Sequence, residues 1–142
     1  MTAAHDLARA DMEAPARTQH GFAMGFEKLR VYQAAELLDR EVTVLIASLD
    51  GRFPDDVRQL DRTLGSILHN IAEAYGSEYS GRKRYHLQVS RGATDESRSV
   101  LRRLVNKKAL TWQAVSRSYA LTSSVSKMLT AWIGNIPPEL QP

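Results

Sequence analysis

Residues 60–76 read LDRTLGSILHNIAEAYG, and the placement of apolar side chains in this stretch decides the fold. Beginning three residues earlier, the apolar positions recur at alternating intervals of three and four residues. They are Val57, Leu60, Leu64, Ile67, Ile71 and Ala74. This spacing places all of them on one face of an α-helix, and Gly76 is a typical helix stop. We therefore predict a central helix around which the other helices pack.

Three further stretches show helical periodicity, in residues 31–49, 80–108 and 111–136. Thr111 is a candidate N-cap for the last of them. Because the connections between the stretches are short, neighbouring helices are expected to run antiparallel. The sequence therefore predicts an all-α fold, an antiparallel up-and-down four-helix bundle in residues 26–136.

The ends of the chain and its overall composition set the remaining limits. Residues 1–25 offer too little apolar surface to offset the entropy of ordering, so we expect a mobile N-terminal tail, and residues 137–142 form a C-terminal tail. The 142 residues suit one domain and contain no cysteine, which excludes disulfides and agrees with the cytoplasmic location that we expect. No apolar run approaches the ~18 residues of a membrane span, so we expect no membrane partner.

Positive charge is concentrated in the third predicted helix. Between residues 82 and 108 there are nine lysines and arginines but only two acids, a net charge of +7 in a chain whose total is +3. Such a segment can contact phosphates without reading base sequence. We predict a nucleic-acid-binding face made of Arg84, Arg91, Arg98, Arg102, Arg103, Lys107 and Lys108. The alternative is a solvated helix face whose charges pair within the helix with Asp95 and Glu96.

The middle of the third helix, residues 92–97, is poor in large side chains. Gly92 in a helix interior costs ~1 kcal/mol relative to alanine. Small side chains allow a neighbouring helix to approach closely, so we expect a tight helix crossing that offsets this cost.

Three polar residues form a second group of interest. Asn70 and Glu73 are neighbours on one face of the central helix, and we expect them to lie in the bundle interior with Glu96 as hydrogen-bonding groups that fix helix register. A buried carboxylate needs a partner, and Arg62 is a candidate partner for Glu96. The alternative is a metal or acid/base site that includes His69, but no repeated metal-ligand motif accompanies it. We expect no catalytic residues, no metal and no cofactor.

Aromatic side chains offer surfaces on which bases can stack. Most lie on or beside the apolar stripes, so we expect them in the core or in contacts between subunits. Trp112, near the start of the fourth helix, is the best candidate for an exposed ring.

Three segments resemble one bacterial protein family. They are FEKLRVYQAA at residues 26–35, SILHNIAEAYG at residues 66–76 and RGATDE at residues 91–96. Together they are similar to the four-helix-bundle proteins encoded in intervening sequences of bacterial 23S ribosomal RNA. The chain departs from the family pattern at Ala74, where glycine is usual, and at Leu68, where proline is common.

The resemblance implies a protein without catalytic activity whose bundles assemble into rings, typically of five subunits. A related protein, the accessory protein of diversity-generating retroelements, is a basic pentamer that binds nucleic acid and works with a reverse transcriptase. We therefore expect a homo-oligomer, a pentamer, that binds nucleic acid, with RNA as the first candidate and DNA as the second. The alternative is an adaptor for a reverse transcriptase or another nucleic-acid enzyme, which additional apolar edges would favour. These edges are formed by Leu37, Ile46, Leu121 and Met128.

Overall fold

The computed structural model describes residues 25–138 and the backbone of two short segments that precede them. A 3-10 helix at Gly25–Lys28 leads into four α-helices. They are α1 (Arg30–Ser48), α2 (Pro54–Gly76), α3 (Ser80–Asn106) and α4 (Trp112–Asn135). The prediction of an all-α four-helix fold is therefore confirmed, with each helix within a few residues of its predicted position.

The two segments ahead of the bundle form a small antiparallel strand pair. Arg17–Thr18 pairs with Gly21–Phe22. The rest of the predicted mobile tail before residue 25 lies outside the described residues. The predicted C-terminal tail is described only as far as residue 138.

The four helices contact one another in a closed cycle, each with its two neighbours. α1 packs on α2, α2 on α3, α3 on α4, and α4 returns to α1. Connections of three to five residues join consecutive helices, so the chain reverses direction at each one. Thr111 caps α4 as predicted, because its hydroxyl accepts a hydrogen bond from the Ala114 amide at 3.1 Å. Within the described residues, no helix combines the length and apolar character that crossing a bilayer requires.

The core lies along the shared axis of the four helices, and every helix supplies side chains to it. The predicted stripe of α2 is fully buried from its first leucine onward, and Val57 is half-buried at its edge. Other helices contribute large side chains with no exposed surface. These include Val31 and Leu38 from α1, Leu87 and Leu101 from α3, and Val115 and Leu129 from α4. The apolar periodicity in the sequence therefore corresponds directly to the observed core.

The most extensive helix pairing is that of α2 with α3, and it includes hydrogen bonds from buried hydroxyl groups. The Ser97 hydroxyl donates a hydrogen bond to the Thr63 hydroxyl at 2.7 Å, and both side chains are fully buried. Two turns earlier on α3, the Ser90 hydroxyl donates to the Ile67 carbonyl oxygen at 3.0 Å. Small hydroxyl-bearing residues therefore satisfy their polar groups at the crossing while they allow the two backbones to approach.

Gly92 does not take part in this crossing. It is exposed, and a Cβ atom placed there would meet nothing within 4 Å. The tight crossing was predicted in the right helix, but the prediction that it offsets the cost of Gly92 is wrong. The buried small residues of α3 are Ser90, Ala93, Thr94 and Ser97, which lie on the opposite side of the helix from Gly92.

Candidate nucleic-acid interface

Three arginines lie along the side of α3 that faces α4, and each contacts a side chain of α4. Arg91 donates a hydrogen bond from Nη1 to the Thr130 hydroxyl at 3.3 Å. The Arg98 guanidinium lies over the Tyr119 ring, 4.1 Å from its centroid. The Arg102 guanidinium lies over the Trp112 ring at 5.4 Å and within 3.5 Å of the Tyr119 hydroxyl. We call this group the α3–α4 basic surface, defined by Arg91, Arg98, Arg102, Trp112, Tyr119 and Thr130.

The two aromatic rings of this surface form a pair of their own. Trp112 and Tyr119 are two turns apart on α4, and their rings meet edge to face with centroids 5.5 Å apart and planes at 79°. Each exposed cation–π contact contributes about 0.5–1 kcal/mol. The rings therefore restrict the planes of two guanidinium groups, although 46% of the Trp112 surface remains open to solvent.

The electrostatics of the surface are strongly positive. Hydrogen bonding from Arg98, and then from Arg102, lowers the pKa of the Tyr119 hydroxyl from its ordinary value. Among residues 25–138, no carboxylate lies within 4.0 Å of the basic groups of Arg91, Arg98 or Arg102. Their charges are therefore not neutralised locally by this part of the chain.

Glu96 pairs with residues of α2, and not with the basic residues of its own helix as the alternative prediction had it. This carboxylate accepts hydrogen bonds from Gln59 Nε2 at 3.0 Å and from Arg62 Nη2 at 2.7 Å, both on α2. The Gln59 amide, followed by Arg62, lowers the pKa of Glu96. Arg62 is therefore confirmed as a partner of Glu96, and the contact joins two helices.

Two of the predicted phosphate-binding residues, Arg103 in the last turn of α3 and Lys107 directly after it, point toward α2. Lys107 Nζ is 2.7 Å from Asp56 Oδ2, and Arg103 Nε is 3.4 Å from Asp56 Oδ1. The Asp56 side chain is only 9% exposed. It lies in the first turn of α2, where a negative charge also interacts favourably with the helix dipole. Arg103 and Lys107 therefore both form ion pairs with Asp56 of α2, and we do not include them in the candidate interface.

The remaining two predicted residues lie at the ends of α3. Arg84 is half-buried and precedes Arg91 by seven residues, so it extends the same row. Lys108 is exposed in the turn after α3, with a left-handed backbone at φ 60°. Neither has a carboxylate within 4.0 Å among residues 25–138. Arg84 therefore belongs to the periphery of the α3–α4 basic surface, whereas Lys108 is separate from it.

The polar group of the central helix is only partly interior. Asn70 is half-buried, and its Oδ1 accepts a hydrogen bond from His86 Nδ1 of α3 at 2.9 Å, which fits the predicted role in helix register. Glu73, in contrast, is exposed, so its predicted interior location is wrong. His86 was not predicted as a partner, because no spacing within one helix indicates which residue of another helix will face it.

No described part of the chain brings metal ligands together. Among the described residues, no group of three or more histidine, aspartate or glutamate side chains could hold a metal ion. His69 and Glu73 are both exposed on α2, and Glu96 is already bound to Arg62. The structure therefore does not assemble the alternative metal or acid/base site.

Comparison with known proteins identifies the family. Residues 27–131 match the model of a family described as 23S rRNA-intervening sequence protein, a span that runs from the 3-10 helix almost to the end of α4. Comparisons with curated proteins and with solved structures give no significant match. The matched span covers most of the chain and contains every residue of the α3–α4 basic surface. The chain therefore belongs to the 23S rRNA-intervening sequence protein family.

Proposed function

We propose that this protein is a non-enzymatic, homo-oligomeric helical bundle that binds nucleic acid, with RNA as its main ligand. The observation that supports this most directly is the row of three arginines on α3 with no carboxylate partner in residues 25–138. The family's name refers to an intervening sequence of 23S rRNA, which makes RNA the first ligand to test.

Phosphate binding follows from the spacing and the chemistry of the row. With a rise of ~1.5 Å per residue, Arg98 and Arg102 are ~6 Å apart along α3, and Arg91 and Arg98 are ~10.5 Å apart. Each guanidinium presents several N–H donors in a plane, which suits phosphate oxygens. Side chains that are already positioned by contacts with α4 lose less entropy when they bind. A phosphodiester chain that runs along α3 would therefore meet successive donors.

Assembly would multiply this charge. A ring repeats the same surface in every subunit, so several arginine rows would act on one ligand and raise its effective concentration near the protein. We propose a pentamer on the basis of the family resemblance. With a subunit mass of 15.9 kDa, light scattering should give about 80 kDa; a mass of one subunit would contradict the ring.

The adaptor hypothesis rested on surplus apolar edges. Ile46, Leu121 and Met128 are half-buried and pack against the bundle's own core, whereas Leu37 is half-buried and does not belong to this packed group. Most of this apolar surface is therefore used inside the subunit, and direct nucleic-acid binding remains our preferred function.

The experiment compares two variants that lose the same charge from different helices. Fluorescence anisotropy with labelled RNA, measured over a series of salt concentrations, gives the affinity and its salt dependence. The Arg98→Ala/Arg102→Ala variant loses two positive charges from the α3–α4 basic surface. The matched control, Arg40→Ala/Arg58→Ala, loses two exposed charges from α1 and α2.

For a single-stranded ligand, each phosphate contact contributes ~0.7 to the slope of log affinity against log salt. Removal of two contacts should therefore make the slope shallower by ~1.4 and weaken binding, whereas the control should retain both values. Absence of binding at low salt, or an equal loss in both variants, would contradict the proposal.

A further inference from the structure

The α3–α4 basic surface contains an exposed ring that phosphate binding does not use. Trp112 is 46% exposed, although it lies against Arg102 and Tyr119. The other tryptophan of the chain, Trp132, is only 9% exposed and belongs to the core. An indole that is open to solvent beside arginines with no carboxylate partner in residues 25–138 is a typical arrangement for binding a base and its phosphates together.

We infer that the surface selects unpaired nucleotides, with a base stacked on Trp112 while Arg98 and Arg102 hold the adjoining phosphates. This inference rests on the proposed function and names the form of nucleic acid that the site takes. Arg102 contacts both Trp112 and Tyr119, so a base on the open side of the indole would place its backbone within reach of a positioned guanidinium.

The width of the surface argues against insertion into a duplex. Arg98 and Arg102 rest on α4 side chains, so α3 cannot approach a ligand without α4 beside it. Two packed helices, with axes ~8–10 Å apart and diameters of ~10 Å, form a surface ~18–20 Å wide. The major groove of B-form DNA is only ~12 Å wide, and that of an RNA helix is narrower. A flexible single strand, in contrast, can lie on a surface of this width.

Stacking also requires a free base face. In a duplex the bases are stacked on one another, so no base face is available to stack on the rings of Trp112 and Tyr119. The surface would then contact only phosphates. In a single strand, every base has a face that can stack on an aromatic ring, with little preference for sequence. The surface is therefore expected to prefer single strands of any sequence.

The test measures binding of an RNA strand of about 15 nucleotides, alone and annealed to its complement, a length within the usual range for such sites. Trp112→Leu keeps an apolar side chain but removes the ring, and Trp112→Phe restores a smaller ring. The Thr111 cap is unchanged in both variants, and circular dichroism checks the fold.

We expect tighter binding of the single strand by the wild-type protein and quenching of tryptophan fluorescence by the single strand only. Trp112→Leu should weaken single-strand binding roughly 5- to 100-fold, Trp112→Phe should recover part of it, and duplex binding should change little. Equal affinity for both forms, or no effect of Trp112→Leu on the single strand, would overturn the inference while the arginine variants still support the proposed function. If neither form binds at low salt, the proposed function itself fails.

Discussion

Replacement of Gly92 with alanine is expected to stabilise the bundle. Gly92 lies in the interior of α3, it is exposed, and its φ is not in the left-handed region. A Cβ atom at this position would meet nothing within 4 Å. The substitution should therefore gain helix propensity without a steric cost, which is ~0.8–1 kcal/mol in the free energy of unfolding.

The neighbouring residue provides a matched control. Ala93 is only 7% exposed, so Ala93→Gly loses helix propensity and also a buried methyl group. The expected cost is ~2 kcal/mol, the sum of ~1 kcal/mol from each source. Urea unfolding and thermal unfolding, both followed by far-UV circular dichroism, measure the two changes. For a bundle of this size, Gly92→Ala should raise the thermal midpoint by ~4 °C and Ala93→Gly should lower it by about twice as much.

A lower thermal midpoint for Gly92→Ala than for the wild-type protein would contradict this prediction. It would mean that the α-carbon of Gly92 makes a close contact that a single subunit does not contain. Light scattering on the Gly92→Ala variant tests for such a contact between subunits. We expect the assembly to remain intact and the stability to rise.

Three further predictions concern buried and ionisable groups. Ser97→Leu should overpack the α2–α3 crossing and lower the free energy of unfolding by ~3 kcal/mol, as measured in urea. Hydrogen bonding from Gln59, then Arg62, lowers the pKa of Glu96, so the ionised carboxylate stabilises the fold above pH 4.5 and this stability is lost as the pH falls through the folded-state pKa. Glu96→Gln should therefore lower the thermal midpoint at pH 7, and its effect should shrink as the pH falls below the folded-state pKa of Glu96. Burial raises the pKa of Asp39 above 3.8, so Asp39→Asn should raise the midpoint at pH 7, with no difference once the pH is below that value.

Apolar periodicity was sufficient to predict the fold, because the positions that repeat every three or four residues are those that the bundle buries. Leu60 and Ile71 have no exposed surface, as the stripe predicted. The same geometry also shows why one prediction failed. At ~100° per residue, Glu73 lies ~140° from the centre of the buried stripe, whereas Asn70 lies ~80° from it. These angles indicate that Glu73 is exposed and that Asn70 is half-buried. The spacing of three residues between Asn70 and Glu73 does not by itself indicate this difference.

The candidate site was predictable only in part. The seven-residue intervals between Arg84, Arg91 and Arg98 place them on one side of α3, and the structure agrees. Arg103 and Lys107 lie on the opposite flank. Their angles around the helix axis distinguish them from the arginine row, whereas a count of the charges in the segment does not. The contacts of Arg98 and Arg102 with α4 depend on the relative register of two helices. That register is set by the packing of all four helices, so no single segment of sequence contains it.

Cross-linking of bound RNA shows whether the α3–α4 basic surface is where the nucleic acid binds. Irradiation of the protein with a 4-thiouridine-labelled single strand, followed by mass spectrometry of the cross-linked peptides, identifies the residues that contact the ligand. We predict cross-links at Trp112 and Tyr119, and their loss in the Arg98→Ala/Arg102→Ala variant. Cross-links confined to α1 and α2, with none on α3 or α4, would contradict this prediction.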